Sequence, residues 1–111
     1  MTTFLLRIED PESSRGEEPS LSFNGRTNAS LATALADALR SPALFRRWLA
    51  LQEEPDEVDE SLGAVDADAQ VTASEEGSRH YLEVQTRLPH ALVSQRLNWL
   101  IGSHWTLRDV R

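Results

Sequence analysis

The chain has 111 residues, a formal net charge of -7, and neither cysteine nor lysine. Its length suits one domain with a core that needs no staples, burying about two-thirds of the unfolded surface. The missing residue types exclude disulfides, thiolate metal sites, Schiff-base lysines and a P-loop lysine. Hydrophobic residues at 40% and charged ones at 26% indicate a globular rather than a disordered chain.

Residues 2–9 predict a first strand, because Phe4, Leu6 and Ile8 alternate with Thr3, Leu5 and Arg7. Leu5 is apolar too, which predicts a central strand covered on both faces. Asp10-Pro11 ends it, and residues 11–19 read as a flexible polar loop. Ser20-Leu21-Ser22-Phe23 predicts a short extra strand, turned out by Asn24-Gly25.

Asn28 or Ser30 as N-cap opens a helix over 29–40. Leu31, Leu35 and Leu39 make its apolar stripe, with Ala34 and Ala38 beside them. Ser41-Pro42 breaks the helix and starts a second one over 42–52, whose apolar face is Leu44, Phe45, Trp48 and Leu49. Residues 53–64 then read as a flexible acidic loop.

Val65, Ala67, Ala69, Val71 and Ala73 alternate with Asp66, Asp68, Gln70, Thr72 and Ser74, which predicts a strand over 65–74. After a turn at 75–78, residues 79–88 alternate again, with His80, Leu82, Val84, Thr86 and Leu88 on one face. The two runs form an antiparallel hairpin with one polar face. Pro89 opens a helix over 89–101 with Leu92, Val93, Leu97, Leu100 and Ile101 buried, and Gly102 stops it. Residues 104–110 are the last strand. Without the short strand the order is βαββαβ, an α+β fold of the ferredoxin-like kind: two helices, the first broken at Pro42, on one face of an antiparallel sheet.

The strongest charge signal lies in the middle of the chain. Ten acidic residues fall between Glu53 and Glu76 with no arginine among them. Such a run attracts cations and repels nucleic acid and anionic lipid. Asp66-x-Asp68-x-Gln70 opens like a calcium loop, but Val71 and Gly77 stand where that loop needs glycine and glutamate. His80, His90 and His104 show no metal-ligand spacing.

Two sets of site residues follow. Arg26, Thr27, Asn28 and Ser30 precede or open the first helix, where backbone N–H groups and an arginine suit a phosphate or carboxylate. Asp66, Asp68, Tyr81, Glu83 and Arg87 lie along the polar face of the hairpin, and Trp99 lies off the apolar stripe of its helix. These six form the candidate partner surface. The expected role is a non-enzymatic interaction or regulatory module of the cytoplasm, binding a protein partner or a second copy. No cofactor is expected, and contact with neither nucleic acid nor membrane. The other two classes are an enzyme or small-ligand binder using loop 24–30, and an acidic inhibitor that mimics nucleic acid.

Overall fold

In the computed structural model, which describes residues 1–111, the first alternating run becomes strand β1 (Thr2–Ile8). Helices α1 (Asn28–Arg40) and α2 (Ala43–Ala50) follow, parted at Ser41-Pro42. The hairpin is β2 (Gln70–Glu76) and β3 (Arg79–Thr86), then come helix α3 (His90–Ile101) and strand β4 (Trp105–Val110). The sheet order is β2-β3-β1-β4, and every neighbouring pair is antiparallel. Gly77 turns the hairpin at φ 65°, a conformation that an L side chain resists.

One face of the sheet is dry. Phe4, Leu6, Ile8, Leu82 and Val84 point into a core shared with Leu31, Leu35 and Leu39 of α1 and Val93, Leu97 and Ile101 of α3. α1 lies over β2 and β3, whereas α2 packs on α1 and on the 3-10 turn at Glu60–Gly63. The molecule measures 46 × 30 × 18 Å. Its shortest dimension leaves room for one sheet and one helix layer, spaced about 10 Å apart. No helix is long and apolar enough to cross a membrane.

Several expected boundaries move. The extra strand at 20–23 does not form. Leu21 and Phe23 are buried, and Phe23 N–H donates to the carbonyl of Leu100 at 2.8 Å, so the segment caps the end of α3. β2 begins at Gln70 rather than at 65, because Asp66 N–H donates to the Leu39 carbonyl and turns the chain. Val65 and Ala67 are therefore exposed, and only Ala69, Val71 and Ala73 of that run face the core. The N-cap of α1 is Thr27, whose Oγ1 accepts from Ser30 N–H at 3.0 Å. Leu5 does not mark a second covered face: β1 is central, yet its Leu5 side is open.

Both polar loops are tied down. Arg15 donates to the carbonyls of Pro11, Ser14 and Gly25, and its guanidinium sits 5.5 Å from the centre of the Phe23 ring. The acidic segment holds two 3-10 turns, Pro55–Glu57 and Glu60–Gly63. Arg96 fastens the second one through the carbonyls of Leu62 and Ala64.

Candidate functional site

The side of the sheet away from the helices carries no layer. Strand alternation puts Thr3, Leu5 and Arg7 of β1 there, with Tyr81, Glu83 and Gln85 of β3. Pairing sorts the face into rows running across β2, β3, β1 and β4. Gln70, Gln85, Thr3 and Arg111 form the first, because Thr3 and Arg111 exchange both backbone hydrogen bonds. Thr72, Glu83, Leu5 and Asp109 form the second, and Ser74, Tyr81, Arg7 and Thr106 the third. Glu76 and Arg79 begin a fourth row, which Glu9 and His104 complete beyond the end of β1.

Charge on the three full rows and the Glu76–Arg79 pair cancels. Arg7, Arg79 and Arg111 balance Glu76, Glu83 and Asp109, so the net -7 resides elsewhere. Arg111 pairs with its neighbour Asp109 at 3.1 Å, and Glu9 lies 3.6 Å from His104. Arg7, Arg79, Glu76 and Glu83 take part in none of the four ion pairs of the chain. They are open charges of both signs around a centre made by Leu5 and Tyr81.

The six expected partner residues separate. Tyr81 and Glu83 lie on this face. Asp68 and Arg87 form an exposed ion pair at 3.6 Å, just before the start of β2 and just after the end of β3. Trp99 is on the helical side, half-buried, stacked on Trp48 at 5.2 Å. Asp66 is only 7% exposed and forms an internal clasp. Its Oδ2 accepts from Thr86 Oγ1 and from Arg87 N–H, both at 2.9 Å, and its Oδ1 accepts from Asp68 N–H at 3.0 Å. Asp66 thus joins the turn before β2 to the end of β3 and is withdrawn from any docking role.

The clasp carries a pH dependence. The hydrogen bond from Arg87 N–H, helped by those from Asp68 and Thr86, holds the Asp66 carboxyl below the ordinary carboxylate range against the opposing effect of burial. A lowered folded-state pKa stabilises the fold fully above the unfolded value, and that stabilisation fades as pH falls through the folded one. Asp66→Asn is expected to melt lower than the parent at pH 7, since in either orientation its amide sets donors against a backbone N–H, that of Arg87 or that of Asp68. The gap should begin to narrow below about pH 4, the unfolded value, and close as pH falls through the lower folded-state one. Thermal melts from neutral to strongly acid pH measure it, and a gap independent of pH would refute the assignment.

The loop before α1 keeps most of its polar groups occupied, with Asn28 Oδ1 and the Arg26 guanidinium the exceptions. Thr27 Oγ1 accepts from Ser30 N–H and contacts Ser30 Oγ at 2.9 Å. Asn28 is 2% exposed, and its Nδ2 donates to the carbonyls of Ser74 and Tyr81, which face each other in the hairpin. Asn28 is therefore a bolt between α1 and the β2–β3 pair. Arg26 alone projects freely into solvent, and none of the four residues lines either of the two main hollows.

One hollow, of about 600 Å³, opens between α2 and α3 beside Trp48, Trp99, Glu17 and Glu18. The other, of about 510 Å³, lies by Phe23, Asp37 and Arg47. Neither holds a histidine. His80 and His104 each approach one glutamate, Glu75 at 3.3 Å and Glu9 at 3.6 Å, while His90 faces the Phe4 ring and Ser94. The alternation in the sequence signalled Tyr81 and Glu83. It also carries Arg7 and Arg79, although neither breaks a pattern that would mark it as a site residue.

No family model matches this chain, no curated protein matches it in sequence, and no solved structure matches its fold. The residues themselves are the basis for a functional reading.

Proposed function

We propose that this chain is a non-enzymatic protein-interaction module of the cytoplasm, and that its docking surface is the open face of the sheet. The observation that carries the reading is the uncovered four-strand face. It sets Leu5 and Tyr81 amid four charges without partners, and its net charge, Glu9 included, is only -1 in a chain of -7. A half-apolar centre ringed by polar and charged groups is the usual layout of a protein-binding patch. A surface without net positive charge gives nucleic acid no electrostatic purchase, which favours a protein partner. The sheet order and the helices on one side support a ferredoxin-like βαββαβ reading of the fold, an arrangement in which the bare face is free for contacts.

A photoreactive benzophenone side chain at position 81 tests this. In the source cell it is expected to give protein adducts at about tenfold higher yield than the same group at Ala29, exposed on α1. Adducts at 81 should fall when Arg7→Glu is added. Equal yields at the two positions, or none at either, would overturn the reading.

A further inference from the structure

We infer that the occupant of the open face is a second copy of this chain, packed face to face about a two-fold axis that runs along the strands. The inference rests on the docking role just proposed for that face and names its partner. Two observations lead to it: the near-zero net charge of the face and its row-by-row layout.

A face that meets itself must carry little net charge, because two like-charged copies repel. A face built for a basic or acidic partner has no such constraint. Here Arg7, Arg79 and Arg111 balance Glu76, Glu83 and Asp109, and Glu9 leaves a single negative charge, which meets the requirement while the remainder of the surface stays strongly acidic.

The layout then chooses the axis. A two-fold axis parallel to the strands keeps each row opposite itself and reverses the strand order, so β3 lies over β1 of the second copy. Tyr81 then meets Arg7 of the other copy, a cation over an aromatic ring, and Gln70 meets Arg111. In the fourth row Arg79 meets Glu9 and Glu76 meets His104. Each contact occurs twice. An axis across the strands instead keeps each strand opposite itself and reverses the rows. It sets Arg111 against His104, Leu5 against Arg7 and Gln70 against Glu76, with no opposite charges facing one another. Of the four open charges the first arrangement gives Arg7, Arg79 and Glu76 a partner and sets Glu83 beside Leu5, whereas the second gives none of them an opposite charge.

The area sets the strength. Four strands about 4.8 Å apart and seven residues long cover about 450 Å² per copy, or about 900 Å² for the pair. That lies below the roughly 1,200–2,000 Å² of a stable complex, so the dimer is weak and reversible.

Sedimentation equilibrium at near-physiological salt reads the outcome. The weight-average mass is expected to climb from one chain toward two between about 10 μM and about 1 mM protein. Arg79→Glu sets carboxylates together in the fourth row and Glu9→Arg sets guanidinium groups together, so each variant alone should lose association at least about tenfold. Mixed one to one they present opposite charges to each other, and the mixture should associate about as well as the parent. Circular dichroism of each variant checks that the fold persists. A parent that stays one chain up to about 1 mM overturns the second copy as occupant, while adducts to a different protein at position 81 would still uphold the docking face. Association that ignores both substitutions, or a mixture no better than its components, places the contact elsewhere and overturns the inference too.

Discussion

Arg96→Ala is expected to lower the unfolding free energy by about 3 kcal/mol and the melting temperature by roughly 12 °C. Arg96 is fully buried on α3, 0% exposed, and belongs to none of the ion pairs. Burial without a carboxylate pushes its pKa below the usual arginine value. The desolvation of a lone guanidinium opposes folding, yet the group is firmly held. It donates to the carbonyls of Leu62 at 3.1 Å and Ala64 at 2.8 Å and to Gln95 Oε1, and it lies 5.6 Å from the centre of the Trp99 ring. Alanine would leave those carbonyls without donors above a cavity. An unmade buried hydrogen bond costs about 1–3 kcal/mol, and the lost packing adds to it. Arg96→Met keeps the stem and drops the donors, so about half the loss is expected. Urea unfolding gives the energies, and faster amide exchange across residues 62–64 would show the turn released. An alanine variant within about 0.5 kcal/mol of the parent would mean that desolvation cancels the whole network.

Arg96 also marks how far the sequence could be read. It stands four residues after Leu92 and four before Leu100, on the same stripe as both. The helical period therefore points it inward; its charge argued the opposite, because lone arginines are seldom buried. What decides the matter is the run of carbonyls at 62–64, more than thirty residues away, which no local pattern joins to α3. Asp66 misled in the same way. It fits the alternation of 65–74, and its true partners, Thr86 and Arg87, lie twenty or more residues on. Element order, by contrast, was legible, since it rests on local signals: the stripes of α1 and α3, the break at Pro42 and the alternation of β1 and β3.

The docking face was half legible. Alternation gives Tyr81 and Glu83 at once, and it gives Arg7 once β1 is known to be bare on one side. Leu5 pointed the other way. An apolar residue on the outer face reads as cover by a second layer, but an exposed apolar side chain is common on protein surfaces. Whether Leu5 is simply exposed or is the centre of a contact depends on its neighbours across the strands, Glu83 and Asp109, and hence on register. Register follows from the hairpin turn at Gly77 and from the irregularity in the β1–β4 pairing between Leu5 and Leu6, and only the first of these leaves a trace in the sequence.

Gly16→Ala should be the other severe substitution, lowering stability by about 2–3 kcal/mol and the melting temperature by roughly 10 °C. Composition suggests that residues 11–19 tolerate anything, as mobile polar loops do. Packing says otherwise. A methyl group at Gly16 would sit 2.3 Å from the carbonyl oxygen of Trp99 and 3.1 Å from its carbon. Both are backbone atoms of the last turn of α3, so no side chain can swing aside to make room. The same loop closes that helix end: Gly16 N–H donates to Ser22 Oγ at 2.8 Å, and Phe23 N–H occupies the carbonyl of Leu100. Relief of the clash has to lift the loop from the helix, which breaks these bonds and uncovers Leu21 and Phe23. Glu17→Ala, one residue along and exposed, serves as the control, with an expected change within about 0.5 kcal/mol. Thermal and urea melts of the two variants measure the contrast. A Gly16→Ala protein as stable as the Glu17→Ala control would mean that the loop does not hold α3, and that the chain before α1 is the loose segment its composition suggests.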